Sequence, residues 1–367
     1  MSLLFSEFSL RGVALPNRIG VAPMCQYSSV DGFAGDWHFA HLTARAVGGA
    51  GMVMTEAAAV TPEGRISPQD LGVWSEKHFE PLERIARFVE SQGAVAGIQL
   101  AHAGRKGGVY RPWSGEGAIP EAQGGWTPVG PSALPFSSTY PTPTALTAEG
   151  LTAIERAFAD AASRAYAAGF RVVELHAAHG YLLHQFLSPL SNKREDAFGG
   201  SFDNRVRFPL ACAAAARAAL PDRCPLFVRV SATDWTEGGW DIEQTIEFAR
   251  RLKAVGVDLI DCSTGGNVEG AKIPVGPGYQ VPFATRIRRE AGIPTAAVGM
   301  ITQAEQAEQI LANGAADMVL LARELLRDPY WPLHAAQTLG HPMSWPAQYL
   351  RGAPRSAPER APWVDGE

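Results

Sequence analysis

The run Ala165-Tyr166-Ala167-Ala168-Gly169-Phe170-Arg171-Val172-Val173-Glu174-Leu175-His176-Ala177-Ala178-His179-Gly180-Tyr181 holds one whole unit of a repeating fold. An Ala-rich helical stretch, Thr147–Ala168, stops at Gly169, where glycine alone takes a left-handed conformation cheaply. A continuous apolar segment follows, Arg171–Leu175, and it ends in a cluster of imidazoles and a phenol. Gly93, Gly256, Gly292 and Gly314 stand in the same place, just past a helical pattern and just before an apolar run. Counted along the chain, the runs are Arg18–Ala22, Gly51–Thr55, Val95–Leu100, Arg171–Leu175, Leu226–Val230, Val257–Asp261, Thr295–Val298 and Met318–Leu321. They do not alternate apolar with polar, as expected of parallel strands covered on both faces. Helical patterns cover His38–Val47, Glu76–Gln92, Thr147–Ala168, Asp203–Ala219, Ile242–Ala254, Phe283–Ala291, Ala304–Ala312 and Trp331–Leu339, with Ser75, Thr147 and Thr302 as expected N-caps. Eight such units predict a single (β/α)8 barrel of the α/β class. A doubly wound sheet is the rival, but Pro23-Met24-Cys25 follows the first strand where that fold has its GxGxxG turn.

At 367 residues the chain suits one large barrel as well as two ordinary domains. The barrel accounts for residues 1–351. Within it Lys106–Ala145, rich in Gly, Pro, Ser and Trp, reads as an excursion over the barrel mouth. The stretch 352–367, with Pro354, Pro358 and Pro362, reads as a tail that is loosely ordered unless it docks. A net charge of −5 and a pI near 6.0 leave no basic footprint for nucleic acid or an anionic membrane. The opening Met1-Ser2-Leu3-Leu4-Phe5-Ser6-Glu7 has neither the basic region nor the apolar stretch of a signal peptide. Four scattered cysteines, Cys25, Cys212, Cys224 and Cys262, form no CxxC pair and no disulfide framework. The expectation is a reduced, cytoplasmic protein.

In this fold chemistry sits at the C-terminal ends of the strands. Those ends carry Pro23-Met24-Cys25-Gln26-Tyr27, Glu56-Ala57, Gln99, His176-Ala177-Ala178-His179-Gly180-Tyr181, Arg229, Gly265-Gly266, Gly299 and Ala322-Arg323. Arg229 lies inside a strand, and an unpaired buried guanidinium costs several kcal/mol. It therefore meets either an electron-rich ligand or a barrel carboxylate such as Glu174. Gly265, Gly266, Gly299 and Arg323 follow strands six to eight, the usual phosphate region of the fold. His176 and His179 can serve as neutral hydrogen-bond donors to an oxygen that gains charge, with Tyr181 as a proton donor. They can also be metal ligands, although no carboxylate completes an HExxH pattern. Cys25 is either a small buried hydrophobe or a contact to a redox ligand.

Together Ala22-Pro23-Met24-Cys25-Gln26-Tyr27, Gly97-Ile98-Gln99-Leu100-Ala101-His102-Ala103-Gly104-Arg105-Lys106, His176–Leu182, Ser188-Pro189-Leu190-Ser191-Asn192-Lys193-Arg194 and Gly199-Gly200-Ser201 resemble the Old Yellow Enzyme family, in its short, thermophilic-like bacterial branch. The resemblance runs from Asn17 to Arg351. It implies one non-covalent FMN at the barrel mouth, with Pro23, Met24, Cys25, Ala57 and Gln99 around the ring system and Arg229 at its electron-rich edge. Gly265, Gly266, Gly299, Ala322 and Arg323 would surround the phosphate. It further implies NADPH or NADH as reductant and an ene-reductase (NADPH dehydrogenase) activity on α,β-unsaturated carbonyl compounds, by hydride transfer from flavin N5. In that reaction His176 and His179 hold the carbonyl oxygen, Tyr181 protonates the product, and Tyr27 contacts the substrate. No metal enters this reading. Arg351 would reach a neighbouring subunit's site, which implies a homodimer or a dimer of dimers. Ala322 stands where many relatives have Gly, which preserves backbone N–H contacts only at negative φ. Three alternatives stay open: a nitro-compound reductase on the same site, a metal-dependent barrel hydrolase using His176 and His179, and a silent flavin or nucleotide sensor.

Overall fold

The structure is a computed structural model that describes residues 2–355, 357 and 358. Eight parallel strands close into a barrel: β1 Ile19–Val21, β2 Met52–Ala59, β3 Val95–Ala101, β4 Val172–Ala177, β5 Leu226–Ser231, β6 Leu259–Ser263, β7 Thr295–Ala297 and β8 Met318–Leu321. Each pairs with its neighbours in sequence, and β8 pairs with β1 to close the ring. Around it lie α1 Asp36–Val47, α2 Phe79–Ser91, α3 Ala148–Ala167, α4 Phe202–Ala219, α5 Ile242–Ala254, α6 Val281–Ala291, α7 Ala304–Ala312 and α8 Trp331–Thr338.

The local reasons are legible in α3. Gly150 N donates to the Thr147 hydroxyl at 3.2 Å, which caps the first turn. Leu151, Ile154, Phe158, Ala162 and Ala165 recur at helical spacing and are buried. Beyond the helix Gly169 sits at φ +97°. The other four punctuating glycines, Gly93, Gly256, Gly292 and Gly314, also have positive φ. Thr302 is not the cap expected of it. Gln303 holds that position, and the Gln306 side chain reaches back to accept from Thr302 N at 3.0 Å.

Four features escape the sequence reading. A hairpin, Phe8–Leu10 with Val13–Leu15, plugs the N-terminal end of the barrel and sends Leu15 into its interior. Short helices at Leu182–Leu187 and Arg323–Arg327 follow β4 and β8 directly. Inside the 106–145 excursion, Val129–Gly130 pairs in parallel with Thr144–Ala145. The described part of the tail folds back, with Trp345 N donating to Pro358 O at 3.1 Å. Pro362 lies outside the described residues, and among those residues no helix is long and apolar enough to cross a membrane.

Register decides where the site forms. Alternate residues of each strand point inward. The lower interior is apolar: Met52, Met54, Val172, Phe227, Leu259, Ala296, Met318 and Leu320 pack together. Two residues further along β4, β5 and β6, the same inward rows present Glu174, Arg229 and Asp261, and two further still His176, Ser231 and Ser263. A charged layer thus rests on an apolar one. Phe227 is the largest side chain in the lower layer and is 1% exposed. Phe227→Ala should destabilise the protein by about 3–5 kcal/mol, read as a drop in the denaturation midpoint. A change within error would show that this layer does not support the barrel.

Candidate active site

The turn after β4 carries the imidazoles and the phenol. His176 still belongs to the strand, whereas His179 sits at φ +57° and Gly180 at +73°. A left-handed residue with a side chain costs about 1–2 kcal/mol, so the surroundings must hold it. His179 N donates to Ser231 Oγ at 2.9 Å, and Ser231 Oγ donates to Gly265 O at 2.7 Å. Gly180 N donates to His184 Nδ1 at 2.9 Å, and Gly180 O accepts from Gln185 Nε2 at 2.7 Å. From the far side Lys106 Nζ donates to His179 O at 2.8 Å and to Gly266 O. The Lys106 ammonium also lies 4.0 Å from the centre of the Phe136 ring. Burial, then Arg105, pull its pKa down to about 7.

A line of hydrogen bonds crosses the turn and defines the tautomers. Ala178 N donates to His176 Nδ1 at 3.3 Å, so the His176 proton lies on Nε2. That nitrogen is 3.3 Å from His179 Nδ1, and His179 Nε2 is 2.7 Å from Ser263 Oγ. Ser263 Oγ and Thr264 Oγ1 in turn donate to Gln280 Oε1 at 3.3 and 2.7 Å. Burial first, and Arg229 second, hold both histidines well below the usual imidazole range. Both are therefore neutral and each keeps one N–H. The Tyr181 ring meets His176 edge-on at 4.9 Å between centroids, and burial, then Cys25, push its phenol well up. Tyr181 keeps its proton.

Arg229 has its partner on the next strand. Asp261 is its register partner, and Arg229 Nε lies 2.8 Å from Asp261 Oδ2. The contact is an ion pair by distance, but the N–H is not directed along it. Glu174, the carboxylate named as the alternative to a ligand partner, accepts from Gln99 Nε2 at 2.7 Å. Gln99 is itself in register with Ala57 and Glu174.

Arg229, Val298, Gly299, Ala322 and Arg323 line one cavity of about 270 Å³. Gly299 has φ +123°, and a Cβ there would stand 2.9 Å from Gln280 Nε2. Ala322 has φ −105°, which satisfies the condition set by its side chain. Gly265 and Gly266 do not line this cavity. Gly266, at φ +88°, packs against His179, where a Cβ would meet His179 Cα at 2.6 Å. Gly266 thus lets the loop after β6 approach the imidazole turn, while a Cβ on Gly265 would meet Ile273 Cδ1 at 2.8 Å.

The loop after β1 forms the opposite wall. Pro23, Met24, Cys25 and Tyr27 are half-buried. Gln26 N donates to Glu56 Oε2 at 2.9 Å, which anchors the loop to β2. Tyr27, at φ +49°, hydrogen-bonds Cys25 and meets Trp113 edge-on at 5.9 Å. Burial, then Asp70 and Glu56, push the Cys25 thiol well up, so it stays protonated. Asp70 was not expected from the sequence. It is buried beside Ala57 and Tyr181, takes hydrogen bonds from Ile66 N, Ser67 N and Ser67 Oγ, and is raised by burial to about 7. Gln280, which links Ser263 to Val298 O, was also unforeseen. Arg351 lies elsewhere, exposed on a 3-10 turn, Ala347–Gly352, beside Tyr330, His334 and Tyr349.

A family model described as NADH:flavin oxidoreductase / NADH oxidase matches residues 3–341. An NADPH dehydrogenase of Geobacillus thermodenitrificans is 48% identical over 353 residues, covering 96% of this chain and 98% of its own. One from Listeria innocua is 50% identical over 353 residues, with 96% and 99% covered. Among solved structures, morphinone reductase superposes with a TM-score of 0.76 at 27% identity, covering 93% of this chain and 90% of its own.

The protonation states are open to measurement. A buried neutral imidazole resists the proton that an exposed one takes near pH 6.5. The ring resonances of His176 and His179 should hold their neutral positions as pH falls through about 6.5. An ordinary titration of either ring would overturn the neutral-pair assignment.

Proposed function

Because this chain belongs to the NADH:flavin oxidoreductase / NADH oxidase family, the Old Yellow Enzymes, and is an NAD(P)H-dependent FMN oxidoreductase, we propose that it reduces the activated C=C bond of α,β-unsaturated carbonyl compounds. The observation that carries this reading is the pair of neutral, N–H-bearing imidazoles beside a protonated phenol on one rigid turn. Such a set suits an oxygen that gains negative charge next to a carbon that needs a proton.

The residues present fit FMN. Arg229 is a buried cation whose Nε lacks a directed acceptor, and the adjoining cavity is lined by the Gly299 and Ala322 backbone and by Arg323. Arg229 would meet the electron-rich edge of the ring system, and Pro23, Met24, Cys25, Ala57 and Gln99 would border it. Gly299, Ala322 and Arg323 would hold the phosphate. When bound, FMN supplies the hydride for the substrate's β-carbon.

The remaining work belongs to the chain. His176 Nε2–H and His179 Nε2–H, now engaged by His179 Nδ1 and Ser263 Oγ, turn to the substrate oxygen. Each such donor contributes about 3–4 kcal/mol when the charge develops in a dry site. Because both rings are neutral before substrate arrives, they polarise the carbonyl without giving up a proton. Tyr181 keeps its proton for the α-carbon. Tyr27, fixed by its Cys25 contact and by Trp113, borders the substrate. Arg351 points away from its own site in this reading and enters that of a second copy, which makes the enzyme a homo-oligomer.

Protein reduced anaerobically with NADPH and mixed with 2-cyclohexenone should recover its oxidised flavin absorbance. Recovery with nitro-compounds alone would favour nitro reduction, and a colourless, zinc-containing protein would overturn the reading. Tyr181→Phe should slow that reoxidation by about 10²-fold or more, with reduction by NADPH within a few-fold of normal. Equal loss in both halves would remove Tyr181 as proton donor. His176→Ala with His179→Ala should abolish the charge-transfer band given by para-substituted phenols, which mimic an enolate.

A further inference from the structure

Beneath the imidazoles the barrel holds three charged side chains that the reaction above leaves half explained. Glu174 on β4 and Asp261 on β6 are both 0% exposed, and Arg229 on β5 is 6% exposed. Two fully buried carboxylates facing one guanidinium leave a net charge of −1 inside the barrel. An uncompensated buried charge is costly, and the usual remedy is a proton.

The hydrogen-bond inventory points the same way. Arg229 Nε approaches Asp261 Oδ2 at 2.8 Å, and Gln99 Nε2 serves Glu174 Oε1 at 2.7 Å. Glu174 Oε2 and both Asp261 oxygens are buried and accept no hydrogen bond. One proton on Glu174 Oε2 turns an acceptor without a donor into a donor among acceptors. Among the described residues no other cation supplies the need. Gln99 on β3 is neutral, and His176 and His179 above are held neutral. The Lys106 ammonium is engaged by two carbonyls, and His184 faces Asp234 at 3.1 Å.

We propose that Glu174 and Asp261 share a single proton beneath Arg229, and that Glu174 is a positioning residue that acts through Arg229 to tie the bound flavin's electron affinity to pH. The proton belongs to Glu174, because Asp261 has the guanidinium at 2.8 Å whereas Glu174 has only an amide. Burial first, and the neighbouring Asp261 second, raise the proton affinity of Glu174. With the proton on, the cluster is neutral and Arg229 offers its field to the ligand. With the proton off, the cluster carries a net −1 and the second carboxylate outweighs that field. Electrons then enter less readily, and a proton drawn from solvent restores the field. The inference rests on the proposed position of FMN beside Arg229.

Glu174→Gln keeps the oxygen to which Gln99 donates and fixes the neutral state. In holoenzyme of equal FMN content, the infrared difference between wild type and Glu174→Gln should show a protonated-carboxyl stretch belonging to Glu174. Asp261→Asn, which leaves one carboxylate for one guanidinium, should also abolish that stretch. No such stretch in the wild type, or one that survives Glu174→Gln, overturns the shared proton. Flavin midpoint potentials, followed by spectroelectrochemistry from about pH 6 to about pH 9, test the coupling. The two proteins should agree at the acid end, with the wild type falling below Glu174→Gln as pH rises. Parallel curves overturn the coupling. Arg229→Lys separates the two levels. If it moves the potential while the Glu174→Gln curve stays parallel, the pH coupling fails alone. If it leaves the potential unmoved, the proposed place of FMN beside Arg229 fails.

Discussion

A guanidinium buried in the upper layer of a closed barrel constrains everything packed around it. Parallel register sends the residue two beyond Phe227 to the same inward face, so Arg229 is buried but for its edge on the cavity at the barrel mouth. The flanking strands answer with Asp261 directly in register on β6 and, on β4, with Glu174 two residues below His176, the register partner on that side. The charge also acts upward. It is the second cause, after burial, that keeps His176 and His179 neutral. One residue type at one strand position thereby influences two carboxylates and two imidazoles. A neutral residue at 229 would leave the two carboxylates to repel each other and would weaken the penalty on imidazolium.

The imidazole turn shows a second constraint, paid for in backbone strain. His179 in the left-handed region costs about 1–2 kcal/mol, while a typical net hydrogen bond returns about 1 kcal/mol. Ser231, His184, Gln185 and Lys106 each supply one to the turn, so the strained conformer is held from several directions. That excess of support is what a preorganised donor pair needs, because a turn free to relax would lose its aim at a substrate oxygen.

Much of this was readable before any coordinates. The eight strands lie where continuous Val, Ile and Leu runs placed them, since a strand covered on both faces has little choice of composition. The punctuating glycines all take positive φ, because the helix ends leave no cheaper residue for that position. The partner of Arg229 was not readable, because cross-strand register between β5 and β6 depends on the closure of the whole ring. For the same reason the path of the loop that carries Gly265-Gly266 was not readable: adjacency to β6 is visible in sequence, but the direction the loop takes is not. Leu182–Leu187 and Arg323–Arg327 are too short for periodicity to register, and neither has a side-chain cap. Gln280 carries no local signal, since its partners Ser263, Thr264 and Val298 come from other units.

The mouth divides its labour along the ring. The ends of β7 and β8 present backbone and Arg323 around an open cavity, as an anion with a flexible tether requires. The ends of β4, β5 and β6 present a dense polar web instead, in which Gly266 is small so that a loop can close on His179. Gln280 joins the halves, accepting from Ser263 and Thr264 on one side and donating to Val298 O on the other. A shift of the backbone near Gly299 is thus felt at Ser263, and through Ser263 at the His179 N–H. Lys106, at the start of the 106–145 excursion, and Arg105 just before it hold the opposite flank by binding Gly266 and Asn267 carbonyls. The site is therefore one connected network rather than two neighbouring ones, and the β7–β8 end bears on the orientation of the His179 imidazole.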